Sequence, residues 1–350
     1  MNVPEARISR SNTIAWLFFV FFACLYFSYS YNAKRDFLNL VEYTRGLSLT
    51  PYQYRALPMF LFRALVDRPV IVHIAARMPA QLRSPYQVVQ LGLSFVSLLG
   101  CVFATYGTLN RLTGFNRRFT RWASLLILYM AYFTLVPGWG LDYTLPYDTP
   151  SLFFYCLGIY LVVCRETWKK WIYYAIFPLA VLNRETACFL TIFYLVWEWE
   201  QARENDTLKT AKLRLFLHVA AQAIIWFAVR KALAHAFAAN APDGVMNSHY
   251  VAGKFFYNIK EILSPKQWPI LLSINGFLLP AIIAGRKWIQ NSGIERACVI
   301  ILPLWTLGMM LVGVIIEIRV FSETAAFAAL ALGLILYNRF YLPSNNALKA

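Results

Sequence analysis

Residues 172–198 read IYYAIFPLAVLNRETACFLTIFYLVWE, and the way this stretch lies in a membrane decides the fold. Two apolar blocks, 172–182 and 187–198, flank the tetrapeptide Asn183-Arg184-Glu185-Thr186. At about 1.5 Å of rise per helical residue, neither block crosses a hydrocarbon core about 30 Å thick. Taken as one continuous span, the stretch would bury an arginine and a glutamate near the bilayer centre. It would also move every later loop to the opposite side. Two short helices meeting at the tetrapeptide avoid both results, provided that protein or a wet cavity shelters the turn.

The rest of the chain makes a membrane setting hard to avoid. Of its 350 residues, 59% are hydrophobic and 14% charged, with a mean hydropathy of +0.50. A soluble domain carries about 25% charged residues, so too few remain here to cover a soluble surface. Further apolar blocks occupy 13–31, 84–109, 121–137, 149–164, 215–236, 268–284, 297–315 and 324–338. With the short pair they predict an all-α, polytopic transmembrane bundle of about ten membrane segments in a single domain, 1–350, without internal repeats. Arg7 and Arg10 precede the first block, which we read as an uncleaved span rather than a signal peptide.

Charge then sets the sidedness. The short segments 110–121, 165–170, 199–214 and 285–296 carry fourteen Arg and Lys, whereas 138–148, 183–186 and 316–323 carry only Arg184 and Arg319. The positive-inside rule puts the first group and both termini in the cytoplasm. The net charge of +16 is thus spent beside the membrane, and nucleic-acid binding is not indicated. The longer loops 32–83 and 237–267 fall outside. In the first of these, Tyr54–Val66 and Val70–Ala80 mix apolar residues with Arg55, Arg63, His73 and Arg77, a pattern expected of helices lying in the interface. The six cysteines sit in or at the ends of apolar segments without C-x-x-C spacing, so they read as small hydrophobes. No histidine pair has zinc-ligand spacing, and no phosphate-binding glycine loop occurs.

On this layout ten acidic residues face outside: Asp36, Glu42, Asp67, Asp142, Asp148, Glu185, Asp243, Glu261, Glu317 and Glu323. Several abut span ends, where charge is costly and marks pathways or sites. Asp148 opens a span, Glu185 sits at the turn of the short pair, and Glu317, Arg319 and Glu323 flank the last outer turn. Each has a structural reading too. Asp36 beside Lys34 and Arg35 reads equally as a solvated charge, Asp148 before Thr149-Pro150 as a helix cap, and Arg184-Glu185 as an ion pair.

The first span, long outer loop with an early acid, interfacial helices and short outer turns resemble the GT-C superfamily of membrane glycosyltransferases. The blocks Tyr52-Gln53-Tyr54-Arg55, Tyr147-Asp148-Thr149-Pro150, Asn183-Arg184-Glu185-Thr186 and Glu317-Ile318-Arg319 resemble those of bacterial polytopic membrane proteins of this type. The resemblance implies transfer of a sugar from a polyprenyl-phosphate carrier to an extracytoplasmic glycan, lipid or protein acceptor at a bacterial inner membrane. It implies a catalytic acid early in the first loop, where Asp36 stands, with Asp148 and Glu185 as alternatives. Arg55, Arg184, Glu317 and Arg319 are the candidate substrate ligands, the arginines because a guanidinium fork matches phosphate oxygens. The loop lacks an adjacent acidic pair or D-x-D, having only Asp36 and Glu42, so the base and any divalent metal ion stay open. A transporter or lipid flippase, and a non-catalytic subunit of an envelope complex, are the rival readings. The first favours inverted repeats and a charged central path, and the second favours no ordered cavity around the acids.

Overall fold

The computed structural model describes residues 10–136, 143–164, 166–242 and 251–342. Asp142, Arg165 and Asp243 lie outside the described residues. The rest is almost wholly helical: α1 Arg10–Asn32, α2 Leu40–Arg45, α3 Ala56–Leu65, α4 Pro69–Arg77, α5 Pro85–Leu112, α6 Arg117–Ala123, α7 Leu126–Leu135 and α8 Asp148–Val163. These are followed by α9 Thr167–Asn183, α10 Cys188–Glu204, α11 Leu208–Ala236, α12 Val251–Leu263, α13 Trp268–Leu272, α14 Leu279–Gly285, α15 Ser292–Val312 and α16 Thr324–Leu336. Strands β1 Arg35–Asp36 and β2 Tyr143–Thr144 pair in parallel, Asp36 opposite Thr144.

Among the described residues, five helices are long and apolar enough to cross a membrane: 12–32, 85–112, 208–236, 292–312 and 324–341, the last running past α16 through its closing turn. Ala56–Leu65, Asp148–Val163 and Trp171–Asn183 are apolar but shorter. α1 and α11 turn large apolar side chains outward, among them Phe18, Phe216, Ile224 and Phe227, each 65–68% exposed. Surface of that kind calls for a lipid or protein cover rather than water. The chain is a membrane protein.

α16 forms the axis of the bundle, with Thr324 to Ile335 all buried. Its first five residues after Glu323 alternate alanine with Thr324 and Phe327, and small residues let neighbouring backbones come close. α5 and α8 use the same device. A Cβ added at Gly100 would stand 2.3 Å from the Phe153 ring, and one at Gly107 would stand 2.5 Å from the Tyr160 ring.

The 172–198 stretch forms a hairpin. α9 ends where Arg184 turns extended (φ −159°, ψ 139°), a 3-10 turn spans Glu185–Ala187, and α10 follows. Tyr173 and Tyr194, equally far from the turn on either arm, bring their rings within 5.9 Å. Both arms are 17 residues, longer than the apolar blocks, because helix continues into the polar flanks 167–171 and 199–204. Two other expected spans are broken. The 121–137 block divides at Ser124-Leu125 into α6 and α7. The 268–284 block is not one span, because Asn275 (φ 54°) and Gly276 (φ 67°) take left-handed conformations between α13 and α14. Pro269 and Pro280, each at the start of a helix, supply no amide hydrogen to a continuous ladder. Asn275 compensates by donating its side-chain amide to Thr324 Oγ1 (3.0 Å) and its backbone N–H to Thr134 Oγ1 (3.2 Å).

Candidate functional site

The end of α1, the starts of α8 and α16, the α9–α10 turn and the last turns of α11 meet at one end of the bundle. Tyr31, about six helical turns after the first described residue, closes α1 there. Its hydroxyl donates to Asp148 Oδ2 (2.9 Å) and accepts the Leu145 N–H (3.1 Å). Asp148 is fully buried in the first turn of α8, and its other oxygen lies 3.3 Å from Arg184 Nη1. The same Arg184 nitrogen reaches Glu323 Oε1 at 3.0 Å, and Ser151 (2.6 Å), Thr186 (3.0 Å) and Ser322 (3.0 Å) donate their hydroxyls to the Glu323 carboxylate. Arg319 Nη1 stands 3.7 Å from Asp148, while its Nη2 is 2.8 Å from Glu317.

Tyr147 bridges this inner cluster to an outer one. Its carbonyl accepts from Asn183 Nδ2 (3.0 Å), its hydroxyl accepts from Arg55 Nη1, and its ring lies 4.4 Å from the Arg55 guanidinium. Arg55 forks onto Glu185 through Nε (3.2 Å) and Nη2 (2.8 Å). From α11, Arg230 approaches Glu185 at 3.8 Å and Trp226 donates its indole N–H to the Glu185 carbonyl at 2.9 Å. Burial alone would disfavour the Glu185 anion, but the charge and hydrogen bonds of Arg55, with Arg230 and Arg184 behind, hold its carboxyl well below the usual range.

Six of the seven candidate residues, Asp148, Glu185, Arg55, Arg184, Glu317 and Arg319, therefore belong to one polar network, two ion-pair clusters joined through Tyr147. Four carboxylates (Asp148, Glu185, Glu317, Glu323) face four guanidinium groups (Arg55, Arg184, Arg230, Arg319). The inner side is sealed, with Asp148 and Glu323 at 0% exposure. The outer side is open, with Glu185 31% and Arg230 22% exposed. Three guanidinium nitrogens, Arg184 Nε, Arg230 Nη1 and Arg319 Nε, donate no hydrogen bond among the described residues.

Asp36 stands apart from the network and is linked to it only indirectly, through β2. Its Oδ1 accepts from Thr144 Oγ1 (3.0 Å) and its Oδ2 from Gln87 Nε2 (3.4 Å), neutral donors both. The strand pair β1–β2 fixes it opposite Thr144, one residue before the Leu145 that holds Tyr31. Burial pushes the Asp36 carboxyl above its usual range, and the two hydrogen bonds only partly offset that.

Reasoning from sequence did not find Tyr31, Tyr147 or Arg230. A lone guanidinium inside the apolar 215–236 block was a readable signal for Arg230. Nothing in the sequence singled out Tyr31 from the other tyrosines of its span. A divalent cation does not suit the donors assembled here. The four network carboxylates are matched by arginines, Asp36 contributes a single carboxylate, and no three of His, Cys, Asp and Glu converge among the described residues. Comparison with protein-family models, with curated proteins and with solved structures found no match.

Proposed function

We propose that this chain is a multi-pass glycosyltransferase of the GT-C type, moving a sugar from a polyprenyl-phosphate carrier to an acceptor at the extracytoplasmic face of a bacterial inner membrane. The acceptor is a glycan, lipid or protein hydroxyl, and the termini are cytoplasmic. The reading rests on one observation: at the bundle end where Arg184 Nε, Arg230 Nη1 and Arg319 Nε donate no hydrogen bond, the first loop and β2 hold a half-buried carboxylate, Asp36, whose hydrogen bonds among the described residues come from neutral donors. In the proposed reaction the acceptor oxygen attacks the anomeric carbon and its proton passes to Asp36. The bond from that carbon to the phosphate oxygen breaks, and the phosphate leaves with the electron pair. Arg319 and Arg230 take the phosphate oxygens, because charge-assisted bonds to a developing anion are strong in a water-poor site. Asp148 and Glu185, engaged by arginines, aim those arginines rather than accept the proton. Arg55 and Arg184 tie the first loop and the hairpin turn into the same wall.

Sidedness supports the reading. Arg286 and Glu295, Glu204 and Ser292, Trp288 and Asn338, and Thr113 and Tyr337 meet at the bundle end away from the network. The basic short loops thus gather at that end, as a cytoplasmic face requires. The deciding experiment gives the purified chain, in lipid nanodiscs, a polyprenyl phosphate sugar labelled in the sugar, together with a panel of acceptors. Label moving to an acceptor supports a transferase. Intact donor carried across the bilayer would favour a flippase, and no binding to any polyprenyl phosphate would remove the reading.

A further inference from the structure

A second site lies at the opposite, basic end of the bundle. There α6 breaks from α7, and the chain after α16 leaves the α-helix for a π-helical turn, Tyr337–Tyr341. Such turns recur at functional positions. Phe119 on α6 sits 5.2 Å from both the Tyr337 and Tyr341 rings, which stack on each other at 5.6 Å. Tyr337 also donates its hydroxyl to the Thr113 carbonyl at 3.1 Å, fastening the π-helical turn to the end of α5, just ahead of α6. Between them opens a cleft of about 370 Å³, within the size range of ligand sites, walled by Phe119, Trp122, Leu126, Leu336 and Tyr341 with Arg118 at the rim.

The charge around it is one-sided. Arg118 lines the rim, Arg117 beside it on α6 and Arg339 on the π-helical turn are exposed, and neither 110–125 nor 335–342 contains an acidic residue. Trp122 is 51% exposed beside the Phe19 ring of α1, which is where a cleft wall would meet lipid. An apolar floor under a basic rim that makes no ion pair among the described residues suits an amphiphile with an anionic head, and a free anion would find no use for the aromatic walls. We infer that this cleft binds an anionic phospholipid, its phosphate at Arg118 with Arg117 and Arg339, and its acyl chain along Trp122 and Leu126. Clusters of basic residues beside spans attract anionic lipid in this way. The site is independent of the chemistry proposed for the opposite face.

The test is retention of lipid by the purified chain in mixed micelles of phosphatidylglycerol and phosphatidylcholine, read by native mass spectrometry. Phosphatidylglycerol should be retained at least about tenfold over phosphatidylcholine. Arg117→Gln/Arg118→Gln/Arg339→Gln should lose that preference, and Leu126→Trp, which fills the floor and keeps the charge, should lower retention of the lipid as well. Lys209→Gln/Lys212→Gln, on exposed α11 residues at the same end, should change neither. Equal retention of the two lipids, an unaltered charge triple, or an equal loss in the lysine control would overturn the assignment. So would efficient disulfide formation between two Trp122→Cys chains in native membranes, which would make the occupant a second copy.

Discussion

Arg55 and Glu185 stand 130 positions apart in the chain, yet the guanidinium of one forks onto the carboxylate of the other, Nη2 to Oε1 at 2.8 Å. The bond joins the loop after α1 to the turn of the α9–α10 hairpin. It also explains how a glutamate persists at a turn between two apolar helices. Arg184 and Glu185, adjacent at that turn, do not pair with each other: Glu185 takes Arg55 as its counter-ion, with Tyr147 packing its ring and hydroxyl on Arg55, while Arg184 turns to Asp148 and Glu323.

Arg55→Ala leaves Glu185 with only the more distant Arg230 and Arg184. Removing one partner of a buried pair is costly, and here about 2 kcal/mol is expected because Glu185 remains 31% exposed. Thermal unfolding in detergent should show the loss. The double change Arg55→Met/Glu185→Leu should recover most of it. If the double variant is as unstable as the sum of the single ones, the pair is not the structural tie described.

Asp36→Asn keeps the shape of the side chain and removes the proton acceptor. Turnover should fall by about 10²–10⁴-fold while carrier binding persists. Stability should move the other way. Burial raises the Asp36 carboxyl, so ionisation costs folding energy as pH climbs through the raised value, and the variant should unfold no earlier than the parent at pH 7. A variant of normal turnover would remove Asp36 as the base.

The same shift predicts the pH profile. A general base works ionised, so the acid limb of kcat/KM should fall at a pH above the ordinary aspartate value of about 3.9. Initial rates at donor concentrations well below KM, followed from about pH 3 upward, check this. An acid limb at or below the ordinary value points to another group.

Asp148→Asn should separate the inner cluster from the outer one. It withdraws charge from Arg184 and Arg319 together, so carrier affinity and stability should both decline, whereas Asp36→Asn lowers turnover without weakening carrier binding or the fold. Equilibrium binding of a non-transferable polyprenyl phosphate, beside a melting curve, distinguishes the two.

Membrane sidedness is open to direct labelling. In a cysteine-free background, a thiol at the exposed Asp67, between α3 and α4, should react with an impermeant reagent added to whole cells. One at Lys209, at the start of α11, should react only after permeabilisation. The reverse pattern would invert the assigned orientation.

Hydropathy made most of this architecture readable, because long apolar blocks have few alternatives in lipid. It also exposed the turn at 183–186, since an Arg-Glu pair between apolar blocks needs shelter. What stayed hidden depends on partners rather than on runs. The break at Asn275-Gly276 is affordable only because Thr134 and Thr324, remote in sequence, meet the freed polar groups. Arg230, followed at once by Lys231, reads as the basic end of a greasy helix until the fold sets Glu185 opposite it. The candidate acids and arginines were legible as residues at one face. Which oxygen meets which nitrogen, and that Asp36 remains outside the network, was not.

α11 carries Trp226 and Arg230 to the Glu185 turn, yet only 11% of its most apolar window is buried within the chain. One flank of the arginine cluster is therefore a single helix, about 10 Å across. A molecule with a long hydrocarbon tail could keep that tail among the bilayer's own chains while its polar head passes the edge of α11 to the guanidinium groups. Its route would run sideways, within the plane of the leaflet, and the tail would never have to be lifted into water.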